Sequence, residues 1–419
     1  MYMVLLKKTD FFKIERVIAK IFAYFYKLEK NEWSRAVMVL QLIFWSIVGV
    51  VVYSYCLYPL ILWVVSRTKK NVNTVLHVPL PTVSLVISVY NEEKNLPAKL
   101  SNIEGYDYPA EKMEILFGVD GATDKSEKIL GECSNDNIRV VSFKERRGKA
   151  AVLNDLLDLA GSEIIVFTDS NTIFEPQTIK ELIKHFKDPT IGAVSGYLKL
   201  VQSTEQSVKT GEHTYWEYEN IIKSWESRTF SMLGATGGVY AIRKKLFVLL
   251  PVDLSIADDF IIPMEIVKKG YRCVYEPKAL AYEALGKNVS DEFRRKVRIG
   301  AQNINALPFI ASLLHPRYGF IAFALLSHKI IRWFIPFFLI LSFILGLLLY
   351  HNALVYRLMI VAWGLLLCTG SIGWLTEKTS MPIGFFIYPY YFLAMNYALF
   401  VGFFKAVFHT QKTTWNVYR

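Results

Sequence analysis

The hydrophobic positions of this chain follow a membrane-spanning pattern at both ends. Residues 38–65 form an uncharged apolar run, longer than the roughly 20 residues needed to cross a bilayer. Three more apolar stretches, at about 333–350, 353–375 and 384–404, lie near the C-terminus, whereas residues 71–300 contain nothing comparable. The pattern predicts a soluble domain between one N-terminal transmembrane helix and about three C-terminal ones.

Between residues 79 and 288, short β-branched apolar runs alternate with helical patterns. The runs that predict buried strands are TVSLVISVY, EILFGVD, IRVVSF, EIIVFTD and IGAVSGYLKL. Helical periodicity lies between them, as in GKAAVLNDLLDLA and PQTIKELIKHF. This alternation predicts an α/β domain with a mostly parallel sheet and helices on both faces.

Amphipathic patterns flank the predicted spans. Residues 1–37 mix charged and aromatic side chains at helical spacing, which predicts a helix on the membrane surface, with a soluble helix as the alternative. Residues 289–332 are interpreted as amphipathic interface helices in which Arg294 and Arg298 share a face. These arginines either present guanidinium groups to phosphate or extend into water without a ligand.

The C-terminal region is predicted to hold about three transmembrane helices over 333–408 and a tail over 409–419. Three spans after a cytoplasmic domain would place the tail outside, but the tail is basic and is expected inside. Either one apolar stretch lies at the interface, or residues 318–333 also cross the bilayer.

Composition and charge support this organisation. Hydrophobic residues make up 53% of the 419-residue chain, yet 20% of its residues are charged. The net charge is +11, and basic residues cluster beside the apolar runs, at Arg67, Lys69 and Lys70 and again over 294–298. The positive-inside rule places residues 71–300 in the cytoplasm, and the bacterial inner membrane is the expected location. No nucleic-acid partner is expected, because the basic residues follow membrane boundaries.

Three predicted strands end in acidic loops, SVYNEE, GVDGATD and FTDSN. Ligands bind at the carboxyl ends of parallel strands, so these loops are expected to converge on one crevice. Asp120 in the second loop either forms a turn with Gly121 or binds a ligand. Asp169 and Asn171 in the third can both offer oxygen to a hard cation, and Mg²⁺ or Mn²⁺ bridging phosphate oxygens is the usual use of such a pair.

Basic, glycine-rich and acidic stretches add to the predicted crevice. KERRGKAAVLND places Lys149 before a helix, which suits a diphosphate, although a solvated basic loop is the alternative. Gly237 and Gly238 either let a sugar approach the backbone or form a plain turn. Asp258 and Asp259 precede a helix that one of them is expected to cap. The pair also supplies a candidate general base, because like charges raise one pKa.

A set of motifs resembles, in content and order, those of the membrane-embedded family 2 glycosyltransferases. The motifs are ISVYNEE, VDGATD, RRGKAAVLN, FTDSN, GATGGVYAIRKKLF, ADDF and RKVRIG. This family includes cellulose, hyaluronan, chitin and poly-N-acetylglucosamine synthases. The resemblance covers about residues 80–335 and implies a GT-A fold, with the glycosyltransferase domain at 79–288.

The resemblance implies roles for the donor-binding residues. Tyr90, Glu92 and Asp120 would hold the base and ribose of a nucleotide-sugar. Lys149 would contact the diphosphate. Gly237 and Gly238 belong to the same donor-binding set.

It also implies a metal site and a catalytic base. Asp169 and Asn171 stand where the family has its Asp-x-Asp motif, so they would seat Mg²⁺ or Mn²⁺ against the diphosphate. Asn171 replaces the second acid, which lowers the ligand charge but keeps an oxygen. Asp259, beside Asp258, matches the base that removes the acceptor hydroxyl proton for an inverting attack at the anomeric carbon.

The family's Gln-x-x-Arg-Trp motif has two counterparts here, RKVRI at 295–299 and KIIRW at 329–333. Its distance from the acid pair favours 295–299, so Arg295 and Arg298 would bind the donor and Arg298 would meet the diphosphate. Ile299 would then replace the tryptophan that supports the acceptor sugar in processive synthases.

The function that the resemblance implies is inverting hexosyl transfer at the cytoplasmic membrane face. The donor would be a UDP-hexose or UDP-N-acetylhexosamine, and the acceptor a growing polysaccharide or a lipid-linked glycan. One alternative is a single-addition enzyme that acts on a polyprenyl phosphate or a ceramide. Another is a noncatalytic membrane scaffold or transporter component, which retention of Asp169 and Asp259 disfavours.

Overall fold

The computed structural model describes residues 30–69, 79–133, 135–201, 209–284, 289–378 and 384–414. Most of the predicted N-terminal amphipathic segment lies outside these residues, and so does the end of the tail. The chain divides into two compact units, Met1–Val52 with Phe337–Leu365 and Tyr53–Pro336 with Leu366–Arg419.

The N-terminal apolar run is helical. Helix α1 covers Lys30–Val52, a π-helical turn covers Tyr53–Leu57, and α2 covers Tyr58–Arg67. Within the first unit, Phe44 of α1 lies in a small apolar core and meets Tyr356 edge-on, with 5.2 Å between the ring centroids. Residues 34–67 are long and apolar enough to cross a membrane.

The second unit contains an eight-stranded sheet. The strands are β1 Val83–Val89, β2 Met113–Asp120, β3 Ile138–Phe143, β4 Ile164–Phe167, β5 Ile173–Phe174, β6 Ile191–Val201, β7 Tyr240–Arg243 and β8 Arg272–Ala284. Their order is β3-β2-β1-β4-β7-β6-β8-β5. Neighbours among β3, β2, β1 and β4 are parallel, as is β6 with β8. Strand β7 is antiparallel to both neighbours, and β5 is antiparallel to β8, so the sheet is mixed.

Helices cover both faces of the sheet. They are α3 Leu96–Glu104, α4 Ser126–Gly131, α5 Lys149–Leu159, α6 Thr178–Ile183, α7 Lys209–Thr229 and α8 Asp258–Lys268. Because side chains alternate along a strand, Leu85 of β1 packs in one core with α3 and α4, and Val86 packs in another with α5 and α8. Helix α5 lies so close to β2 that a Cβ on Gly118 would come within 2.3 Å of Val152. This packing fixes the start of α5 beside the end of β2.

Helices dominate the rest of the chain. They are α9 Val289–Ile310, α10 Phe320–Ala324, α11 Ile331–Trp333, α12 Ile335–Leu348, α13 Leu354–Lys378 and α14 Gly384–Val407, with 3₁₀ turns at 311–314 and 316–318 and a π-helical turn at 325–330. Helices α9 and α14 cross closely, because a Cβ on Gly402 would lie 2.5 Å from the Val297 carbonyl oxygen.

Three helices within the described residues could each span a membrane. They are 34–67, 354–376 and 385–407. The helices 320–333 and 335–348 meet the same criteria only as a pair, which would bring the number of spans to four. The alternative that residues 318–333 contribute to a span therefore has a structural counterpart.

Candidate active site

One large cavity, of about 1680 Å³, lies in the second unit at the carboxyl ends of the parallel strands. It is lined by every residue for which the sequence predicted a donor, metal or catalytic role: Tyr90, Glu92, Asp120, Lys149, Asp169, Asn171, Gly237, Gly238, Asp258, Asp259, Arg295 and Arg298. The loops after β1, β2 and β4 thus converge as expected for a crevice at strand ends.

The loop after β1 forms one wall of the cavity. The guanidinium of Arg146 lies 3.5 Å from the ring centroid of Tyr90, a cation–π geometry that fixes the ring's position. Glu92 is buried, and its carboxylate accepts a hydrogen bond from the amide of Asn95. Asn91 accepts a 2.8 Å hydrogen bond from the Thr123 backbone, which ties this loop to the loop after β2.

Asp120 connects β2 to the start of α5. Its two carboxylate oxygens accept hydrogen bonds from the backbone N–H groups of Arg147, at 2.6 Å, and Gly148, at 2.9 Å. Gly148 has a φ of 91°, which a side chain would strain. In this structure Asp120 therefore anchors the basic loop in front of α5, and its predicted contact with the nucleotide stays a prediction.

Lys149, the first residue of α5, lies between two acids. Its Nζ is 3.1 Å from Asp169 Oδ1 and 3.2 Å from Asp258 Oδ1. Burial alone would lower the pKa of Lys149, but the negative charges of Asp169, Asp258 and Asp259 raise it above its ordinary value. The side chain therefore stays cationic, at a helix N-terminus that itself favours anions.

A buried lysine on α3 holds the loop that carries Asp169 and Asn171 in place. Lys99 donates hydrogen bonds to Thr168 Oγ1, at 2.9 Å, and to the Thr172 carbonyl oxygen, at 2.7 Å. Lys99 thus fixes both ends of the loop against α3.

The oxygen ligands that this loop offers fit a hard cation that is also bound by water or substrate phosphate. Within the described residues, no group of three or more His, Cys, Asp or Glu side chains is arranged to hold a metal. Asp169 and Asn171 offer one carboxylate and one amide oxygen. Mg²⁺ is commonly bound by one or two carboxylates together with substrate phosphates and water, and this loop matches that arrangement.

The acid pair begins α8, and the prediction that one of its members caps the helix is wrong. The N-cap residue is Ala257, and no side chain caps this end. Asp258 instead forms an ion pair with Lys149 and accepts a 3.1 Å hydrogen bond from the Tyr240 hydroxyl. Burial, and then the charge of Asp258, raise the pKa of Asp259 to about 6, against the opposing effects of Lys149 and Lys223. Such a value suits a general base near neutral pH.

Neighbouring side chains leave little space for a Cβ at Gly237 or Gly238. A Cβ on Gly237 would lie 3.0 Å from Asp259 Oδ2, and one on Gly238 would lie 2.7 Å from Thr172 Oγ1. The first glycine leaves space for the Asp259 carboxylate, and the second lets β7 pack against the Asp169 loop. Close approach of a sugar to this backbone stays a prediction.

Both counterparts of the Gln-x-x-Arg-Trp motif line the cavity. On α9, Arg295 pairs with Glu292 at 2.7 Å. Burial and the charge of Arg295 lower the pKa of Arg298, while Asp259 and Asp169 oppose that shift. In the second counterpart, Arg332 pairs with Glu219 at 2.6 Å. The charges of Asp258 and Asp259 thus act on Arg298 of the first counterpart.

A further wall of the cavity, formed by α7, was not predicted from the sequence. Trp216, Glu219 and Lys223 line the cavity from this helix. His328 lies buried between two α7 acids, with Nδ1 2.6 Å from Glu226 Oε1 and Nε2 3.0 Å from Glu219 Oε2. The only sequence signal was the helical spacing of aromatic and acidic residues in YWEYENIIKSWES, and His328 lies about a hundred residues further along.

Comparison with known proteins places this site in a family. Residues 84–249 match the family model described as glycosyl transferase family 2. Residues 84–249 form a family 2 glycosyltransferase domain. The match includes the loops that carry Tyr90, Asp120, Lys149 and Asp169, so the resemblance predicted from the motifs is confirmed.

Curated relatives of this chain include poly-β-1,6-N-acetyl-D-glucosamine synthases. The chain is 27% identical over 227 residues to the synthase of Staphylococcus aureus strain COL, which covers 52% of this chain and 53% of that protein. It is 26% identical over 231 residues to the synthase of Staphylococcus epidermidis, which covers 53% and 54%. The matched region thus spans about half the length of these relatives.

A solved structure shares the fold of this chain. It is a mannosyltransferase from Pyrobaculum calidifontis in complex with GDP-Man and Mn²⁺. The TM-score is 0.66 at 22% identity, and the match covers 89% of this chain and 100% of the other. The predicted GT-A fold is confirmed.

Proposed function

We propose that this glycosyltransferase transfers a hexose or N-acetylhexosamine from a UDP-sugar, with inversion, to a hydroxyl of a growing polysaccharide or lipid-linked glycan. The observation that carries the proposal is the meeting of Lys149, Asp169 and the pair Asp258–Asp259 in one cavity. The poly-N-acetylglucosamine synthases among the relatives support a polysaccharide product.

The donor would bind across the strand ends. Tyr90, Glu92 and Asp120 are proposed to hold the nucleoside. Lys149 and Arg298 would pair with the diphosphate, because charge-assisted hydrogen bonds to phosphate are strong in a buried site. Arg295, one helical turn before Arg298, would add to the positive potential that attracts the donor.

Asp169 and Asn171 would hold Mg²⁺ or Mn²⁺ together with the diphosphate oxygens. The bound cation would neutralise charge on the leaving nucleoside diphosphate. The Mn²⁺ in the mannosyltransferase complex supports a divalent requirement. Before the donor arrives, the Lys149 ammonium balances the same acids.

Asp259 is proposed as the general base. The Asp259 carboxylate accepts the acceptor proton while the acceptor oxygen attacks the anomeric carbon and the nucleoside diphosphate leaves. Burial and the charge of Asp258 keep the pKa of Asp259 high. A base is needed for an alcohol but not for a phosphate oxygen, which is already ionised at neutral pH. A glycan or ceramide hydroxyl therefore fits this site better than a polyprenyl phosphate.

The membrane arrangement completes the proposal. Transmembrane helices over 38–65 and 333–408 and interface helices over 289–332 would hold the domain of residues 79–288 at the cytoplasmic face. The three helices able to cross a membrane support this arrangement. The terminal segments, 1–37 and 409–419, would lie beside the bilayer.

A donor screen tests the proposal. Purified full-length protein in lipid nanodiscs would be incubated with labelled UDP-N-acetylglucosamine, UDP-glucose, UDP-galactose and GDP-mannose, with and without Mn²⁺ or Mg²⁺. We expect divalent-dependent release of UDP and sugar transfer from one UDP-sugar, and product length then separates a polymer from a single addition. Transfer from GDP-mannose alone would overturn the UDP assignment, and no transfer from any donor would overturn the proposed function.

A further inference from the structure

One face of α7 lines the cavity with an aromatic and two charged side chains. Trp216, Glu219 and Lys223 are three and four residues apart, so they share one side of the helix. All three line the cavity. None of the predicted donor-binding loops contributes to this wall.

Lys223 is buried, with 7% of its surface exposed. Its ammonium donates one hydrogen bond, of 2.9 Å, to Thr236 Oγ1. An ammonium has three donors, and no other hydrogen bond or salt bridge of this group is found within the described residues. Burial and the charge of Lys329 lower its pKa to about 8, so it is mostly cationic at neutral pH.

This arrangement is costly for the fold. Burying a charge with one neutral hydrogen-bond partner is unfavourable. Residues that break such local rules are most often found at functional sites. Within the described residues, Lys223 therefore has donor capacity that no protein acceptor uses, in the wall of the reaction cavity.

The same ammonium lies close to the proposed base. Thr236 directly precedes Gly237, the residue whose missing side chain leaves space for the Asp259 carboxylate. The electrostatic influence of Lys223 on Asp259 agrees with this proximity. An acceptor hydroxyl held for deprotonation by Asp259 would lie within the region that the Lys223 ammonium reaches.

We propose that Lys223 is an acceptor-binding residue, whose ammonium donates hydrogen bonds to the oxygen atoms of a carbohydrate acceptor beside the attacking hydroxyl. The inference rests on the proposed function and assigns the acceptor side of the cavity to the α7 wall. Trp216, with its ring centroid 5.4 Å from the ammonium, adds an aromatic surface of the kind that packs against apolar faces of ligands. The acceptor class is thus an oxygen-rich sugar.

The test separates acceptor binding from donor binding in full-length protein in nanodiscs. Lys223→Met keeps the length of the side chain and removes its donors, and Lys223→Arg keeps the charge. The acceptor probe is an N-acetylglucosamine pentasaccharide, and the donor is the one that the wild type uses. Lys112→Met is the matched control, because Lys112 is a partly buried lysine that donates to the Leu80 carbonyl oxygen outside the cavity.

We expect Lys223→Met to raise the KM for the pentasaccharide ~10-fold or more. The donor KM and the UDP affinity should stay within about twofold of wild type. Lys223→Arg should recover part of the acceptor affinity, and Lys112→Met should match wild type.

An unchanged acceptor KM in folded Lys223→Met would overturn the inference, as would equal changes in the donor and acceptor KM values. If Lys223→Met does not fold, Lys223→Arg decides, because a shifted arginine fork should change the acceptor KM and leave the donor KM alone. Failure of the wild type to transfer from any donor would instead refute the proposed function.

Discussion

The Lys149 ammonium lies 3.1 Å from the Asp169 carboxylate, which joins the first turn of α5 to the loop after β4. The two residues are 20 positions apart in sequence and approach the cavity from different elements. This ion pair places the cation proposed to meet the diphosphate next to the carboxylate proposed to bind the metal. Several consequences of the pairing can be measured.

Replacing Lys149 by Met should weaken donor binding. The substitution removes the buried cation proposed to meet the diphosphate, and charged hydrogen bonds of this kind contribute about 1.5–3 kcal/mol, or roughly 10- to 100-fold in affinity. Isothermal titration with UDP would measure the change. Lys128→Met, at an exposed position on α4, is the control. Equal UDP affinity in wild type and Lys149→Met would remove this residue from the donor site.

Asp169→Asn should change the dependence on divalent metal. The variant keeps an oxygen but loses the only charged side chain of the proposed pair, so the Mn²⁺ concentration for half-maximal UDP binding should rise ~10-fold or more. Asp158→Asn, on the exposed side of α5, should leave that concentration unchanged. A metal response that is identical in all three proteins would place the metal elsewhere.

The pH profile should report Asp259. Its pKa is raised to about 6, and the ionised carboxylate is the form proposed to act as the base. Activity (kcat/KM) should therefore fall about tenfold per pH unit well below pH 6 and level off above it. Initial rates between pH 4.5 and 8, on protein that stays folded throughout, give the profile. A rate that is flat down to pH 4.5 would exclude a base with this pKa.

His328→Ala should destabilise the second unit. Burial raises the pKa of Glu219 and Glu226, but the charges of His328 and Lys329 and the hydrogen bonds to His328 together outweigh it and hold both pKa values below the ordinary range. Removing one partner leaves buried carboxylates, which typically costs about 3–5 kcal/mol. Thermal unfolding in detergent measures the effect, with Glu127→Gln on α4 as the control.

The same cluster should make stability depend on pH. The depressed pKa values of Glu219 and Glu226 contribute stability that is present above the ordinary glutamate range and is lost as pH falls through the folded values. In His328→Ala this acid dependence should weaken. If His328→Ala unfolds at the wild-type temperature and shows the wild-type pH dependence of stability, the cluster contributes little to stability.

Local patterns were enough to predict the strand-end part of the site. Strands β1, β2, β3, β4 and β6 were predicted from apolar runs, and Asp120 and Asp169 follow from the rule that parallel strands present their ends at one edge. Strand β8 was missed because Pro277 interrupts its pattern, and its pairing with β6 skips from Glu276 to Leu280 at that point.

The α7 wall could not be predicted because its partners are distant in sequence. Lys223 donates a hydrogen bond to Thr236, 13 residues away, whereas His328 contacts Glu226 across 102 positions. Helical spacing alone does not identify either partner. The capping error at Asp258 has a similar cause. A cap was the local expectation for an acid at a helix start, but Asp258 instead forms an ion pair with Lys149 and accepts a hydrogen bond from Tyr240.

The most direct test of the account is Asp259→Asn in full-length protein, with UDP binding and sugar transfer measured on the same preparation. The substitution keeps size and removes the proton acceptor. We predict unchanged melting temperature, UDP affinity within about threefold of wild type, and transfer reduced by at least ~100-fold, as expected for loss of a general base. Transfer at the wild-type rate by folded Asp259→Asn would contradict the account.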